Sequence, residues 1–292
     1  MSLSNVKRKV VFYGGSDFHL EGVVGLKFFE PSNFLPKVEL EPDAFNVCLL
    51  AGDITVPRKV SRYTEWFELF SKQFDLVLYV EGNHEHWRGY LGQNFKRLSQ
   101  SCAHIENLMF LSNETYEFSV FDSAFSVVAS TLWANLKGLS DVDVHELCEA
   151  SYGKPVVRDF GCIRTANLGR YRKLKAPDYH ALHIKAKSFI ASEAERLSDD
   201  GSYKVLMTHH APTLKSLWRY KGHEKRFDNF DATDLESEIK FGKFSLVFHG
   251  HIHRDEPFID KIGDALLYSN PAGNKLIDSK GYELLKLDTV YV

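Results

Sequence analysis

The sequence is poor in the features that mark several protein classes. Its 292 residues include only four cysteines, none in a CxxC pair, so no disulfide framework is indicated and a reducing compartment is expected. No apolar run approaches the roughly 18 residues that a membrane helix requires. The apolar stretch after Lys7–Lys9 ends at Gly14, which is too short for a secretory signal. We therefore expect a soluble, cytoplasmic protein without a membrane partner.

Neither sign of charge is in large excess, because 36 basic residues face 39 acidic ones and the formal net charge is -3. Nucleic acid is therefore not a favoured partner. An apolar content of 44% and an aromatic content of 13% exclude disorder and support a sizeable core. No repeat and no Pro-rich or Gly/Ser-rich linker divides the chain, so we predict one domain over residues 1–292. The GxxxxGK[ST], GxGxxG and GxSxG motifs are also missing, which disfavours P-loop NTPases, dinucleotide enzymes and standard α/β-hydrolases.

What the sequence does contain is a recurrent unit, in which a short apolar run is followed by a polar turn with His or Asp. The runs and the polar residues that follow them are Val10–Tyr13 with Asp17 and His19, Phe45–Leu50 with Asp53, Leu76–Val80 with Asn83 and His84, Lys204–Met207 with His209 and His210, and Ser245–Phe248 with His251 and His253. Such runs predict buried strands. Alternation with helices predicts an α/β layered fold, whose functional groups collect beyond the carboxyl ends of the strands.

Two helices are predicted from apolar spacing, over about Tyr63–Phe74 and from about Asp178 to Leu197, with Asp178 as the N-cap of the second. The stretch from about 134 to 176 breaks the rhythm of strands and helices. It contains several Gly and Pro residues and the basic run Arg170–Lys175. We interpret it as an insertion or lid over the site.

The polar residues of these turns include seven candidate metal ligands that combine imidazole, carboxylate and amide groups: Asp17, His19, Asp53, Asn83, His209, His251 and His253. This set suits Mn, Fe or Zn, with Mg, Co or Ni as alternatives, better than calcium. Seven ligands are too many for one tetrahedral ion but suffice for two ions if one carboxylate bridges them. Two divalent ions would outweigh two carboxylates, and the remaining positive charge suits a phosphate ester.

Five motifs in a fixed order, each behind a strand-like run, are far more specific than any one of them. In one-letter code they are D-x-H, GD, GNHE, H and GHxH, and they extend from Asp17 to His253. In these motifs the chain resembles the calcineurin-like metallophosphoesterase superfamily. Its Thr131–Trp133 and Asn270–Gly273 segments are similar to a bacterial and phage branch of phosphoesterases. The resemblance implies a four-layer αββα sandwich, in which mixed β-sheets are flanked by helices and metal ions lie at the carboxyl edges of the strands.

The resemblance also implies roles for the site residues. It divides the ligands into Asp17, His19 and His253 for the first ion, Asn83, His209 and His251 for the second, and Asp53 as the bridge. The sequence leaves open whether His209 or His210 is the ligand, and the family's His-His-x-Pro usage favours His209. His84 matches the family's catalytic histidine, which contacts the phosphate and helps to protonate the leaving group.

The implied function is dinuclear metal-dependent hydrolysis of a small phosphomonoester or phosphodiester, such as a nucleotide. In that reaction a metal-activated hydroxide attacks phosphorus in line while His84 assists the departing oxygen. A protein Ser/Thr phosphatase is disfavoured, because Gly52-Asp53 lacks the V-D-R-G continuation of that branch. A metal-dependent nuclease is an alternative without support from the overall charge. A non-catalytic, protein-binding scaffold on the same fold is a second alternative, although such a protein would be expected to lose ligands. The oligomeric state is not indicated.

Overall fold

The computed structural model describes residues 8–23, 29–57, 61–136, 138–149, 155–167, 170–218, 224–273, 275 and 281–292. The strands are, in chain order, β1 (Lys9–Gly15), β2 (Ala44–Ala51), β3 (Leu76–Val80), β4 (Leu108–Leu111), β5 (Glu114–Val120), β6 (Ser123–Ser130), β7 (Arg164–Asn167), β8 (Arg170–Lys173), β9 (Tyr203–Thr208), β10 (Leu246–His249), β11 (Phe258–Ile262), β12 (Ala265–Ser269) and β13 (Leu285–Tyr291). The α-helices are α1 (Ser61–Ser71), α2 (Gln93–Ser101), α3 (Asp141–Val144), α4 (Asp159–Cys162), α5 (Ala176–Leu197), α6 (Asp228–Asp231) and α7 (Glu236–Phe241).

Two large mixed sheets form the centre of the fold. The first has the order β13-β1-β2-β3-β4, in which β1 to β4 are parallel and β13 is antiparallel to β1. The second has the order β11-β12-β10-β9-β6-β5, in which β12, β10, β9 and β6 are parallel and both edge strands are antiparallel. A separate hairpin is formed by β7 and β8.

Strand β1 illustrates why the central strands have continuous apolar runs. Val10 and Phe12 point into the core between the two sheets, whereas Val11 and Tyr13 point into a second core on the outer face. Both faces of the strand are therefore buried, as is usual where parallel strands are covered on two sides. The inter-sheet core is completed from the opposite sheet by residues such as Phe125, whose ring centroid lies 6.0 Å from that of Phe12.

Helices cover the outer face of each sheet. Phe67 of α1 packs on Tyr79 of β3 with a centroid distance of 5.6 Å, within the outer core of the first sheet. Ile190 of α5 and Ile239 of α7 pack with Leu206 of β9 over the outer face of the second. The layers thus follow the order αββα, and the predicted α/β fold class with mixed sheets flanked by helices is confirmed. Among the described residues, no helix is long and apolar enough to cross a bilayer.

Two details of the predicted helices were wrong. Helix α1 ends at Ser71, and Phe74 lies in the following turn, where its N–H donates to the Ser71 carbonyl. Asp178 is not the N-cap of α5 but lies in its first turn, two residues after Ala176. Its carboxylate accepts hydrogen bonds from the Lys175 N–H at 2.9 Å and from Arg172. Acidic groups are favoured there by the helix dipole, so composition alone does not separate the two positions.

The described part of the segment around 134–176 contains α3, α4 and the β7–β8 hairpin. Leu147, Phe160 and Ile163 from this segment form a small apolar core with Trp133 and Tyr179. The core lies against the loop after β3, because partly buried Trp87 and Leu91 also pack on it. The segment is therefore attached to one of the predicted site loops, and its role as a lid stays a prediction.

Candidate metal centre

All five predicted site loops follow parallel strands and meet at one end of the two sheets. Asp17 follows β1, Asp53 follows β2 and Asn83 follows β3, while His209 and His251 follow β9 and β10. Backbone hydrogen bonds join these loops to one another, including Asp17 N–H to the Gly52 carbonyl at 3.0 Å and Gly250 N–H to the His209 carbonyl at 3.0 Å. The fold therefore brings all the predicted ligands together, from positions separated by up to 236 residues.

Several of these residues adopt a backbone conformation that only glycine adopts without strain. The φ angles are 55° at Asp17, 47° at His19, 54° at Asp53 and 70° at His251. Left-handed conformations are uncommon outside glycine, cost free energy, and concentrate at functional sites. Four predicted ligands therefore lie in strained turns that aim their side chains at a common point.

The protonation of His209 follows from its neighbours. Its Nδ1 lies 2.8 Å from the carbonyl oxygen of Ala51, which can only accept, so Nδ1 carries a proton. Burial lowers the pKa of His209 to about 4, so the ring is neutral near pH 7 and Nε2 holds a lone pair. That nitrogen faces Asn83 Oδ1 at 2.9 Å, His251 Nδ1 at 3.2 Å and Asp53 Oδ1 at 3.4 Å.

The contact between His209 and Asn83 places two acceptors against each other. Asn83 Nδ2 donates to the carboxylate of Asp159 at 2.9 Å, so the carbonyl oxygen of the amide is the atom that faces His209. Two facing lone pairs repel each other, and a metal ion between them turns this repulsion into attraction to both atoms. Two atoms bound at about 2.1 Å to one ion are separated by about 3.0 Å at a right angle and about 3.4 Å at the tetrahedral angle. The observed separations thus fit one coordination sphere.

The neighbouring His210 uses both ring nitrogens within the protein. Its Nδ1 lies 3.0 Å from the Thr131 carbonyl oxygen, and its Nε2 lies 3.2 Å from the Tyr179 hydroxyl. The ring also lies beside His251, with centroids 4.1 Å apart. These contacts favour His209 over His210 as the ligand and make His210 a buried support for His251.

A second cluster lies beside the first and contains Asp17, His19 and His253. His253 Nε2 is 3.2 Å from both His19 Nε2 and Asp17 Oδ1. His19 Nδ1 faces the carboxylate of Glu21 at 3.3 Å, which leaves Nε2 of His19 directed at the cluster. Asp17, Asp53 and His209 offer ligand atoms within 4.8 Å of one another, so Asp53 lies between the two clusters as a bridge requires.

Electrostatics at Asp17 and Asp53 also suit a cation. Burial raises the pKa of Asp53 well above its usual range, and the carboxylates of Glu85 and Asp17 raise it further. Burial also raises the pKa of Asp17, but the hydrogen bond from His253 and the charge of that histidine lower the pKa of Asp17 overall. A metal ion stabilises buried carboxylates in the ionised form. The donor set and its geometry thus fit two divalent ions.

Comparison with known proteins identifies the family of this chain. A profile of the calcineurin-like phosphoesterase family matches residues 16–255. The chain belongs to the calcineurin-like phosphoesterase family. This membership confirms the predicted family and supports a hydrolase of the phosphoesterase class, and proteins of this family generally bind divalent metals.

Individual relatives of this phosphoesterase are distant. Uncharacterized protein L509 of Acanthamoeba polyphaga mimivirus is 24% identical over 256 residues, which is 84% of this chain and 85% of the viral protein. The crystal structure of phosphopantetheinyl hydrolase (PptH) from Mycobacterium tuberculosis has a TM-score of 0.65 at 16% identity, and the alignment covers 96% of this chain and 95% of that one. The structural likeness establishes a shared fold.

His84 of this calcineurin-like phosphoesterase lies at the edge of the two clusters. The backbone N–H of His84 donates to Asp53 Oδ1 at 2.8 Å, and the ring Nε2 of His84 lies 3.7 Å from Asp53 Oδ2. Its Nδ1 lies 2.9 Å from Glu21 Oε1, and its ring stacks on Trp87 with centroids 3.5 Å apart. Burial lowers the pKa of His84, although the Glu21 carboxylate opposes the shift.

Glu85 joins the two loops that carry Asp53 and Asn83. Its fully buried carboxylate accepts four backbone hydrogen bonds at 2.7–3.1 Å and one from a hydroxyl, from Asp53, Ile54, Thr55, Gly82 and Tyr79. Glu85 is the last residue of the GNHE motif. The structure makes it the anchor of both loops.

Gly82 is required by the close approach of the same two loops. A methyl group on Gly82 would lie 2.6 Å from Asp53 N. Contacts this short do not occur at real Cβ atoms, so any side chain would displace Asp53. The GNHE motif therefore needs glycine at this position because its loop packs directly against the Gly52-Asp53 turn.

Two functional candidates were missed at the sequence level, Glu21 and Asp159. Glu21 follows the D-x-H motif with the same two-residue spacing that separates Asp17 from His19, and this spacing was the available signal. No local pattern could indicate Asp159, which reaches Asn83 from 76 residues away. His249, the last residue of β10, contacts the Gly250 carbonyl and the Ser216 hydroxyl through its two ring nitrogens.

Proposed function

We propose that this protein hydrolyses a small phosphomonoester or phosphodiester with two divalent ions held by the seven predicted ligands. The proposal is carried by the 2.9 Å approach of His209 Nε2 to Asn83 Oδ1, since a neutral His209 ring and the amide oxygen both present lone pairs to a position that a divalent ion fits. It is supported by family membership and by the position of Asp53 between the two clusters. When bound, such ions supply Lewis acidity toward water and toward phosphoryl oxygens.

The chain's own residues orient the reacting groups. Asp53 is held by Glu85 through its backbone, and its carboxylate faces both clusters. Because Nδ1 of His84 donates to Glu21, Nε2 is the nitrogen left to meet a substrate. In the imidazolium form this Nε2–H is placed to protonate the departing ester oxygen. Burial raises the pKa of Glu21, but hydrogen bonds from His19 and His84 lower it overall to about 2. The ionised Glu21 carboxylate therefore stabilises the imidazolium form of His84.

A small substrate is preferred over a polymer in this proposal. The net charge of -3 provides no general attraction for a polyanion, and the phosphoryl group is met by the metal centre itself. A nucleotide is one member of this class. The predicted compounds are therefore phosphomonoesters and phosphodiesters with one accessible phosphoryl group.

The test uses the full chain after removal of metal and reconstitution with Mn²⁺, Fe²⁺, Zn²⁺, Co²⁺, Ni²⁺ or Mg²⁺. p-Nitrophenyl phosphate and bis(p-nitrophenyl) phosphate report monoesterase and diesterase activity, and the His84→Ala variant is the matched control. We expect hydrolysis of at least one ester by the wild type and a loss of about 100-fold or more in the variant. Inactivity of the metal-loaded wild type toward a broad ester panel would favour a binding scaffold, and cleavage of DNA or RNA alone would favour a nuclease.

A further inference from the structure

The carboxylate of Asp159 reaches the candidate metal centre from outside the five motifs. Asp159 is the first residue of α4 and is only 4% exposed. Its Oδ1 accepts two hydrogen bonds, one from Asn83 Nδ2 at 2.9 Å and one from Trp87 Nε1 at 2.7 Å. Both donors lie on the loop after β3, on either side of His84.

Helix α4 is attached firmly to that loop. Arg88 N–H donates to the Cys162 carbonyl at 2.8 Å, Arg164 N–H donates to the Gly89 carbonyl at 3.1 Å, and Leu91 N–H donates to the Arg164 carbonyl at 2.9 Å. Buried Phe160 and Ile163 add apolar contacts on the same side. The position of the Asp159 carboxylate is therefore determined by the backbone as well as by its two partners.

An asparagine amide has a donor end and an acceptor end of nearly the same shape, so its orientation depends on its partners. An ionised carboxylate can only accept. Asp159 therefore takes the NH₂ end of Asn83 and leaves the carbonyl oxygen facing His209 Nε2. With the amide reversed, an N–H would point at the ion and Asn83 would not be a ligand.

The second hydrogen bond acts on the neighbouring histidine. Trp87 stacks on His84 at a centroid distance of 3.5 Å and an interplanar angle of 25°. The bond from its indole N–H to Asp159 restrains the rotation of the indole ring. The same oxygen thus restrains a predicted metal ligand and the aromatic plane against the predicted catalytic histidine.

We propose that Asp159 is a positioning residue, which orients the Asn83 amide for the second ion and holds Trp87 against His84. This inference rests on the proposed function, because it assumes a divalent ion at Asn83 and His209. In this proposal the segment around 134–176 contributes a residue that supports the metal centre.

The first experiment titrates the metal-free full chain with Mn²⁺ and measures free Mn²⁺ by electron paramagnetic resonance. Asp159→Leu removes the acceptor at similar volume, Asp159→Asn retains one acceptor oxygen, and Asp141→Asn changes an exposed carboxylate of the same segment. We expect a second-ion affinity about 10- to 100-fold weaker in Asp159→Leu. We expect a smaller loss in Asp159→Asn and wild-type affinity in Asp141→Asn. Two ions bound to Asp159→Leu with wild-type affinity would overturn the proposal.

A rescue experiment keeps the proposal testable even if Asp159→Leu does not fold. Asn83→Asp places a second buried carboxylate against that of Asp159. The repulsion between the two is expected to weaken the second Mn²⁺ site. Adding Asp159→Asn removes the opposing charge and allows an NH₂ group to face the carboxylate at position 83, although Trp87 then loses its acceptor, so the double variant is expected to recover part of the affinity. A double variant as weak as the single one would contradict the proposal. Wild type that binds two Mn²⁺ ions without hydrolysing any ester would overturn the proposed function alone.

Discussion

Glu21 Oε1 accepts a hydrogen bond from His84 Nδ1 at 2.9 Å, so a carboxylate and an imidazole form a pair at the rim of the candidate metal centre. The same oxygen lies 3.3 Å from His19 Nδ1, and the other oxygen accepts from the Val56 N–H at 3.2 Å. Glu21 therefore links a predicted ligand of the first ion to the predicted catalytic histidine. The orientation of both rings depends on it.

The first prediction concerns Glu21→Gln, which replaces one acceptor oxygen by an NH₂ group. The Glu21 carboxylate faces three N–H groups, those of His19, His84 and Val56. In the variant at least one of them faces the new NH₂ group, which is also a donor, so the His84 ring loses its fixed orientation. We expect turnover to fall about 10- to 100-fold. The loss should grow with the pKa of the leaving group across a series of aryl phosphates, because poor leaving groups need the proton most. An equal loss for all leaving groups would separate Glu21 from proton transfer.

The second prediction concerns His84→Ala in the reconstituted protein. His84 contacts both clusters only at their edge, so its removal should leave two ions bound while lowering turnover by about 100- to 10,000-fold. Metal content after dialysis and turnover of an aryl phosphate are measured on the same sample. His104→Ala, at an exposed histidine, is the matched control and is expected to be neutral. Full turnover in His84→Ala would remove this residue from the mechanism.

The third prediction concerns Asp53→Asn, which removes the carboxylate between the two clusters. We expect the bound metal to fall from two ions to fewer than one per chain. Ligand linkage predicts that Mn²⁺ at 100 times its dissociation constant stabilises the wild type by about 2.7 kcal/mol. The rise in melting temperature on adding Mn²⁺ should be present in the wild type and in exposed Asp264→Asn, and absent in Asp53→Asn. Chelation with EDTA should reverse it.

The fourth prediction concerns Glu85→Gln, at the anchor between the Asp53 and Asn83 loops. An NH₂ group in place of one carboxylate oxygen faces backbone N–H groups that then have no acceptor. We expect the free energy of unfolding to fall by about 3–5 kcal/mol, as when a buried charged partner is removed. Urea denaturation of the metal-free protein measures the change without any contribution from bound ions. Exposed Glu65→Gln is the control, and a loss below 1 kcal/mol would contradict the anchoring role.

The fifth prediction concerns pH and Glu41, which lies away from the metal centre. Hydrogen bonds from Lys286 and Lys9 lower the pKa of Glu41 from 4.5 to about 2. A lowered folded-state pKa contributes stability above the unfolded-state value, and this contribution is lost as the pH falls from about 4.5 toward about 2. Glu41→Gln should therefore lower the urea midpoint at pH 7 and have less effect at pH 3. Exposed Glu39→Gln should show no such trend.

Strand positions were predictable because both faces of β1, β2 and β3 are buried and their apolar runs are continuous. Helix ends were less predictable. Phe74 has the spacing of the α1 face and packs on Phe70, yet it lies beyond the helix. Periodicity reports which residues are buried, whereas the end of a helix depends on local backbone hydrogen bonds.

The sequence by itself determined the types of candidate ligand, their order along the chain and the strands that precede them, because each motif is a local pattern. It could not distinguish His209 from His210, since both follow the same strand. The tertiary structure favours His209, because the Ala51 carbonyl at its Nδ1 leaves Nε2 directed at the candidate metal centre, whereas both nitrogens of His210 have partners within the protein. It also decided the partners Glu21 with His84 and Asp159 with Asn83, because a hydrogen bond between residues 63 or 76 positions apart depends on how distant loops meet in space.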